Sequence, residues 1–409
     1  MQATEGLQNR QLKLVNEAYS QIQTVVHTQL KSAALQMIIS LFDEEVIKLC
    51  GPSFSRKKDS LYHRGGSDPG SVILHGQRVK VKKPRIKKNG KEVQLDSYQA
   101  LQNFDLMCDK VMKYMLAGVS TRNYDPLLDE LEGGLGLKKS SVSRVFLKGS
   151  KEALDEINGR DLSQLSLMTI MLDGIYIAQR SIIVALGITT EGKKIILGLR
   201  EGNSENGVVC TDLLESLKER GLDSENPILF VIDGSKALRT GIKRSFGKQH
   251  PVQRCTLHKE RNILNYLPKQ FQREFKRRWK LVHGCISYDM ATREYDKLYS
   301  WLNNINYQAG KSLEEADMET LTVLKLNVPY LLRQALHSTN SIESAFSRVV
   351  EKTARVKNWS SSADQVVRWA AISLLDTESK FTLIRGHKQI PVLMEELKRL
   401  NIDSLKKVS

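Results

Sequence analysis

Two aspartates in the same tripeptide setting carry the clearest chemical signal of this sequence. Asp173 follows the apolar run 165–172, Asp233 follows the apolar run 227–232, and a glycine comes after each of them. Ligands of open α/β sheets lie at the carboxyl ends of strands, where two carboxylates can share hard cations such as Mg²⁺. Asp-Gly is also a common turn dipeptide, so either pair alone fits an ordinary turn. Two copies, each closing a buried strand, favour a divalent-metal site.

A two-metal site needs a third acid, and the candidate is Glu343 in the segment His337–Arg348. On the first turn of a helix this side chain can point at the metals. The spacing from Asn340 to Glu343 equally fits a capping box, in which Glu reaches back to the N-cap N–H. Position alone leaves both roles open.

Cys255 and His258 form a C-x₂-H pair. They can be half of a zinc site, with His283 and Cys285 as partners, although this spacing is not that of a standard finger. A buried structural cysteine is the simpler explanation for Cys255.

The 409 residues include 62 Lys and Arg against 46 Asp and Glu, a net charge of +16 that favours a polyanionic partner. Twelve basic and three acidic residues between Arg56 and Leu95 supply +9 of it. Loose alternation there predicts short strands and hairpins that present cations to DNA phosphates. The alternative is a charged edge that discourages sheet pairing. The predicted DNA-contacting residues of this segment are Lys80, Lys82, Lys83, Arg85, Lys87 and Lys88.

Two further segments predict DNA contacts. Gly133–Gly136 followed by Ser140–Lys148 is typical of the turn and short recognition helix of a helix-turn-helix, with Ser141 and Arg144 facing DNA; Ser140 can equally be an ordinary N-cap. After Glu343 a basic run predicts a face that follows phosphates, and Trp359 either stacks on an unpaired base or belongs to the core. The basic residues of this run are Arg348, Lys352, Arg355 and Lys357.

Hydrophobic periodicity predicts helices within residues 1–50 and from Tyr98 to Gly118, and then three strands, helix, strand, helix and strand from 165 to 255. From Lys259 to Leu336 only helical patterns remain. The sequence lacks an apolar run long enough to span a membrane and a secretory signal pattern. Five cysteines, a sparse and odd number, fit a reducing cytosol.

Four motifs together resemble the Mutator-like DDE transposases of prokaryotic insertion sequences. They are Asp173-Gly-Ile-Tyr, Asp233-Gly-Ser, Cys255-Thr-Leu-His258 and Thr339-Asn-Ser-Ile-Glu343, in that order and rough spacing. The resemblance covers residues 100–380, and the basic N-terminal region resembles the DNA-binding region of one branch of the family. One departure is Val350, two turns after the glutamate, where a basic residue is expected.

The resemblance implies an α/β catalytic core with a ribonuclease-H-like mixed sheet, interrupted by an all-α insertion and preceded by helical and small basic β DNA-binding regions. Asp173 and Asp233 would lie on adjacent strands, with Glu343 on a later helix and His258 beside them, in contact with DNA. The expected organisation is a helical region (1–55), a basic β segment (56–97), a helix-turn-helix-like region (98–160), the first segment of the core (161–258), the helical insertion (259–336), the second segment of the core with the catalytic glutamate (337–385) and a C-terminal tail (386–409).

The expected function is that of an insertion-sequence transposase that binds terminal inverted repeats and catalyses strand cleavage and strand transfer. Asp173, Asp233 and Glu343 would hold two Mg²⁺ ions, with Mn²⁺ as a substitute. The expected partners are double-stranded DNA, both inverted repeats and target, and a second copy of the chain on DNA. The expected location is the prokaryotic cytoplasm. Two alternatives stay open, a non-catalytic DNA-binding regulator derived from a transposase and a structure-selective ribonuclease-H-like nuclease.

Overall fold

The computed structural model describes residues 29, 32–54, 61–74, 77–102, 115–116, 134–135, 139–202, 206–354, 356, 359 and 364–406. The chain divides into two compact units, Met1–Gly149 and Ser150–Ser409.

The first unit combines a helix with an antiparallel sheet. Helix α1 covers residues 32–50, and the strands are β1 (Tyr62–Leu74), β2 (Gln77–Lys88), β3 (Lys91–Val93) and β4 (Gly134–Leu135). Their order is β1-β2-β3, with β4 also paired to β2, and the short helix α2 (Asp96–Ala100) follows β3. The predicted hairpin is confirmed, with strands of 13 and 12 residues rather than short ones.

The alternation of β2 explains how this small sheet is held. Val79, Val81 and Ile86 are buried, and Val81 and Ile86 pack with Phe42 of α1, whereas Lys80 and Lys82 between them are exposed. From Val79 to Lys82 a period of two thus puts apolar side chains on one face and cations on the other, whereas Ile86 falls outside this phase.

The predicted helix-turn-helix segment differs from expectation. Gly134–Leu135 pairs with Arg78 and Val79 of β2 rather than forming only a turn. The helix that follows, α3 (Lys139–Gly159), has 21 residues rather than being short. Its apolar residues Leu154 and Ile157 pack on the second unit's core, so the helix extends well beyond the Ser140–Lys148 stretch predicted to read DNA.

The second unit is built around a mixed five-stranded sheet. Its strands and the helices between them are β5 (Leu167–Ile177), β6 (Arg180–Thr189), β7 (Lys194–Glu201), α4 (Gly207–Glu219), β8 (Leu229–Ile232), α5 (Lys236–Ser245) and β9 (Val252–Arg254). The spatial order is β7-β6-β5-β8-β9, antiparallel from β7 to β5 and parallel from β5 to β9. The predicted succession of strands and helices is confirmed.

One boundary prediction was wrong. Strand β5 does not end at Asp173 but continues to Ile177, because β6 goes on pairing with it as far as Arg180. Its parallel pairing with β8 does stop at Leu172, opposite Ile232. Asp173 and Asp233 therefore both come directly after the last residue of that parallel ladder.

Helices cover both faces of the sheet. Ile170, Leu172, Phe230 and Ile232 pack with α4 and α5, whereas Met171, Ile175, Leu229 and Val231 pack with the opposite layer. That layer contains α3, α12 (Asn340–Thr353), α13 (Asp364–Glu378) and α14 (Ile390–Lys406). Helix α14 lies within the stretch expected to be a C-terminal tail, and its Ile390, Leu393 and Leu397 are buried.

Between β9 and α12 all described elements are helical. They are α6 (Thr256–Tyr266), α7 (Lys269–Gly284), α8 (Tyr288–Ile305), α9 (Tyr307–Glu315), a 3₁₀ turn (Asp317–Leu321), α10 (Thr322–Lys325) and α11 (Tyr330–Leu336); a second 3₁₀ turn, His387–Gln389, precedes α14. The long helices α7 and α8 share a core of their own around Phe275, Trp279 and Leu302. Among the described residues, no helix has the length and hydrophobicity needed to cross a membrane.

Candidate active site

Strand alternation points both aspartates at the same layer of helices. Asp173 comes two residues after Met171, and Asp233 two residues after Val231, and both apolar residues face the layer that contains α12. Side chains two residues apart in an extended strand lie on one face. The two carboxylates thus stand at the end of the parallel ladder, on the α12 side.

Local hydrogen bonds fix both carboxylates. Asp173 Oδ1 accepts from the Gly174 N–H at 2.8 Å, and Asp233 Oδ1 accepts from the Ser235 N–H at 2.8 Å. The Ser235 hydroxyl in turn caps α5 by accepting from the Leu238 N–H at 3.3 Å. The turn that carries Asp233 is therefore continuous with a capped helix start, which restricts its movement.

Gly234 is required here for a reason that the sequence did not reveal. Its φ of +108° belongs to a conformation that L side chains rarely adopt, and a Cβ at this position would collide with the Arg254 guanidinium. That guanidinium donates to the Gly234 carbonyl at 3.1 Å. The glycine thus makes room for a neighbouring arginine, in addition to any approach by a ligand.

Glu343 lies on the first turn of α12, beside the buried residues Ile342 and Phe346. The N-cap of this helix is Thr339, which makes no side-chain capping hydrogen bond, so the capping box from Asn340 is not formed. Glu343 Oε1 lies 3.6 Å from His258 Nδ1 and 3.6 Å from Arg261 Nη1. The glutamate is therefore flanked by two basic side chains of α6.

The three acids share one electrostatic environment. Asp173 is only 5% exposed. Burial raises its pKa to about 6; the positive charge of His258 opposes this rise, and the negative charges of Asp233 and Glu343 add to it. A carboxylate in this environment resists ionisation unless a cation compensates its charge. The three carboxylates are therefore close enough to influence one another's charge.

Cys255, His258 and Thr339 form a buried polar group next to these acids. Thr339 donates to Cys255 Sγ from its N–H and its hydroxyl, both at 3.4 Å. Burial alone would raise the pKa of the Cys255 thiol, but hydrogen bonds with His258 and Thr339 outweigh it and lower the pKa. The hydrogen bond to Cys255 and the nearby acids raise the pKa of His258 to about 9. His258 is therefore an imidazolium at neutral pH.

The four-residue zinc site is not formed. Within the described part of the chain, Cys255, His258 and Glu343 are the three side chains grouped closely enough to hold a metal ion. Their ligand atoms all lie within 4.8 Å of one another. His283 instead stacks on Trp279, with ring centres 4.2 Å apart, and burial lowers its pKa to about 3. Cys285 belongs to the core of the helical segment.

The basic run after Glu343 separates into different environments. Arg348 is exposed. The Lys352 ammonium contacts Asp376 Oδ2 at 2.5 Å, the Ser373 carbonyl at 3.1 Å and the Thr377 hydroxyl at 3.1 Å, so it connects α12 to α13. These contacts give Lys352 a structural role, and its predicted DNA contact stays a prediction. Trp359 packs edge-on against Trp369 at the core, and Arg355 lies outside the described residues.

Most of the predicted contacts in the basic segment are solvent-facing. Lys80, Lys82, Lys87 and Lys88 are exposed. Arg85 instead pairs with Glu92 at 2.9 Å and Asp68 at 3.4 Å, and Lys83 lies over the Tyr98 ring. Arg144 on α3 is exposed, whereas the side chain of Ser141 lies outside the described residues.

An ion network next to the Asp233 turn was not predicted from the sequence. Glu315 of α9 pairs with Arg254 at 2.9 Å and with Lys259 at 3.0 Å. Lys259 is 1% exposed and also donates to the Ser312 carbonyl. The sequence gives no local signal for it, because Glu315 lies 61 residues from Arg254 and 56 residues from Lys259 along the chain. This network connects the Asp233 turn to the helical segment.

Comparison with known proteins assigns the family. The family model described as "Transposase, Mutator family" matches residues 3–381. The chain is 24% identical over 378 residues to the transposase for insertion sequence element IS256 in transposon Tn4001 of Staphylococcus aureus, which covers 87% of this chain and 94% of that protein.

Two other relatives are similar over shorter ranges. Identity is 26% over 266 residues to the transposase for insertion sequence element IS1201 of Lactobacillus helveticus, covering 63% of this chain and 69% of that protein. Identity is 27% over 256 residues to the transposase for element IS6120 of Mycolicibacterium smegmatis, covering 61% and 77%. A family match across nearly the whole chain, with strands and acids in the expected order, leads to one conclusion: the chain belongs to the Mutator family of transposases.

Proposed function

We propose that this protein is the DNA transposase of an insertion sequence, a DDE-type enzyme that binds the ends of its element and cleaves and joins DNA strands. The observation that carries the proposal is the buried Asp173 carboxylate, whose pKa is raised by burial and by the charges of Asp233 and Glu343. Perturbed acids grouped at a sheet end are typical of catalytic sites. The named relatives are insertion-sequence transposases.

The sheet supports a ribonuclease-H-like core for this activity. In the order β7-β6-β5-β8-β9, three antiparallel strands are followed by two parallel ones, and Asp173 and Asp233 come directly after the last paired residues of the β5–β8 ladder. Helix α12 packs on the same face and carries Glu343. The helices between β9 and α12 would then be an insertion into that core.

The donor set fits divalent cations. Asp173, Asp233 and Glu343 offer carboxylate oxygens, which Mg²⁺ and Mn²⁺ prefer, and a cation would offset the burial and the repulsion that raise the Asp173 pKa. When bound, two such ions would supply Lewis-acid activation of a water or 3′-hydroxyl and stabilisation of the leaving oxygen. Cys255 and His258, with softer ligand atoms, would stay outside this set.

The remaining residues of the site would neutralise charge on the DNA and hold the three acids in position. The His258 imidazolium and Arg261 lie on the same side of Glu343, where they can neutralise a phosphate oxygen while Glu343 is engaged. The hydrogen bond with Cys255 and the negative charges of Asp173 and Glu343 favour the charged form of His258. Gly174 and Ser235 N–H groups keep the two aspartates in fixed orientations.

The basic sheet would supply DNA affinity. Lys80, Lys82, Lys87 and Lys88 are exposed on β2, and exposed cations at successive positions follow a phosphate backbone whatever its sequence. Together with the exposed Arg144 and Arg348 they would bind the inverted repeats and target DNA, and the pairing of two ends would require at least a dimer.

Strand cleavage and joining on a DNA fragment with the element's own ends tests the proposal. The assay uses Mg²⁺ or Mn²⁺, with Asp233→Asn as the variant and Asp212→Asn, an exposed acid of α4 paired with Arg200, as the matched control. We expect end-specific products from the intact protein and the control and none from Asp233→Asn.

Two outcomes would contradict the proposal. Specific end binding without cleavage by the intact protein would indicate a non-catalytic regulator. Cleavage of any duplex regardless of its ends would indicate a structure-selective nuclease.

A further inference from the structure

A cavity of about 470 Å³ opens on the helical segment, in a region of the molecule that the proposed chemistry does not use. Its lining includes Gly284 at the end of α7, Ile286, Asn327 and, from α11, Tyr330 and Arg333. This volume lies in the range of small-ligand sites, which combine apolar walls with a few polar groups.

Arg333 is the unusual member of this lining. It is only 8% exposed, and among the described residues no carboxylate lies within ion-pair distance of it; its neighbours are the Tyr330 ring, 5.7 Å from the guanidinium carbon, and Cys285. Burial lowers its pKa more than the neighbouring Tyr330 and Cys285 raise it. A buried guanidinium is costly unless an anion pairs with it. The cavity thus has a place for an anionic group.

Other residues that line the cavity are exposed and largely apolar. Tyr330 is 56% exposed and Ile286 is 88% exposed, although large apolar side chains grouped at one site usually find a partner. The Tyr330 hydroxyl accepts from Gln334 Nε2 at 2.6 Å, which fixes the ring in place. A fixed, exposed ring beside a cation suits a flat, unsaturated ligand that stacks.

We propose that this cavity binds one unpaired nucleotide of the DNA substrate, with its phosphate on Arg333 and its base stacked on Tyr330. The inference rests on the proposed transposase function, which supplies the DNA. An anion next to a planar ring describes a nucleotide better than an acidic peptide, whose carboxylate would need Arg333 but not the exposed Tyr330 and Ile286. The exposed Asn327 supplies an amide that can bond a base edge.

The cavity lies on a helix that is connected to the candidate active site. Helix α11 carries Tyr330 and Arg333 and ends at Leu336; its C-cap residue His337 accepts from the Thr256 N–H at 3.0 Å. Thr339 follows two residues later and contacts Cys255. A nucleotide held by α11 would therefore be anchored on the helix that leads along the chain into the segment that carries Glu343.

The test measures binding of two 20-base-pair duplexes, one fully paired and one with a single bulged 5-iododeoxyuridine. We expect the bulged duplex to bind about tenfold more tightly, the order of one base stacked on an aromatic ring. Tyr330→Ala should remove that preference and Tyr330→Phe should retain it. Tyr307→Ala is the matched control, because Tyr307 is 61% exposed with Lys311 5.3 Å from its ring but does not line the cavity.

Ultraviolet crosslinking of the iodinated base locates the contact. Crosslinking to the peptide that contains Tyr330 is the expected result. Arg333→Gln should weaken the preference to the same degree; since Arg333 is buried, its melting temperature is checked, and Tyr330→Ala carries the test if this variant unfolds.

Three results would overturn the inference. The first is a bulge preference that Tyr330→Ala leaves unchanged, and the second is equal loss in Tyr307→Ala. The third is binding of a fluorescent hexaglutamate peptide that Arg333→Gln abolishes while bulge binding stays intact, which would make the cavity an acidic-peptide site. End cleavage measured on the same preparations separates the two proposals, since normal cleavage with any of these results refutes only the cavity's role.

Discussion

The basic sheet and the acidic end of the five-stranded sheet both concentrate charge, but they do so in opposite ways. In the basic sheet, Lys80, Lys82, Lys87 and Lys88 face solvent along one strand. In the five-stranded sheet, Asp173 is buried and its pKa depends on His258, Asp233 and Glu343. Exposed charges act nearly independently and are screened by salt, whereas buried charges are strongly coupled. One substitution should therefore matter little in the first region and greatly in the second.

The largest expected effect is on catalysis. Asp173→Asn keeps the size of the side chain but removes a negative charge from the proposed metal-binding set, so end cleavage should fall by about a thousandfold or more, several kcal/mol of transition-state stabilisation. Affinity for the ends should change less than about threefold. The cleavage rate and the equilibrium affinity are both measured on one DNA fragment that carries an element end. Retention of cleavage within about tenfold of the intact protein would remove Asp173 from the catalytic set.

The same substitution should stabilise the metal-free protein. Because folding raises the Asp173 pKa from 3.8 to about 6, the charged form is disfavoured in the folded state, and Asp173→Asn should gain roughly 2–3 kcal/mol of unfolding free energy at pH 7. The penalty in the intact protein develops as pH rises from about 4 to about 6, so the gain should vanish below pH 4.

Urea unfolding in EDTA at pH 4, 5, 6 and 7 measures this difference. The comparison with Asp212→Asn, an exposed acid on α4, controls for loss of charge alone. A variant less stable than the intact protein at pH 7 would mean that the carboxylate is stabilising, contrary to the account.

A smaller loss of cleavage is expected from a substitution in the turn that follows Asp233. Gly234→Ala should reduce end cleavage about tenfold, because its Cβ would collide with Arg254 and displace the Asp233 turn, and small misplacements of catalytic groups are costly. Gly207→Ala is the matched control, since a Cβ there meets nothing within 4 Å. Equal activity of both variants would show that the turn tolerates the shift and that the Arg254 contact does not position Asp233.

The smallest effects are expected in the basic sheet. Each of Lys80→Gln and Lys87→Gln should weaken end binding about threefold near 0.2 M salt and lower the slope of log affinity against log salt by about one. The double variant should show the product of the two effects.

Lys352→Gln, which removes a cation bonded to Asp376, should instead leave DNA affinity unchanged and lower the free energy of unfolding by about 1–3 kcal/mol. A loss of affinity in Lys352→Gln would mean that DNA reaches this residue after all.

The sequence predicted the order of strands and helices in the second unit because each carries its own periodicity. The family resemblance implied that Asp173 and Asp233 lie on adjacent strands, and β5 does pair with β8; the apolar runs ending in Asp-Gly left the pairing of these strands open. It could not predict that β5 continues past Asp173, because that depends on how far β6 pairs with it. Nor could it assign Lys352 or Glu315, whose roles arise from residues distant along the chain.

The central claim is that Asp173, Asp233 and Glu343 hold the divalent cation, and radical mapping with bound iron tests it most directly. Fe²⁺ replaces Mg²⁺ in the complex of the protein with a DNA fragment that carries an element end. Peroxide and ascorbate then generate hydroxyl radicals at the metal, and mass spectrometry identifies where the protein chain is cut. The account predicts cuts near residues 173, 233 and 343, suppressed by excess Mg²⁺ and lost in Asp233→Asn. Cuts confined to residues 255–258 and 343 would place the metal on Cys255, His258 and Glu343 and contradict it.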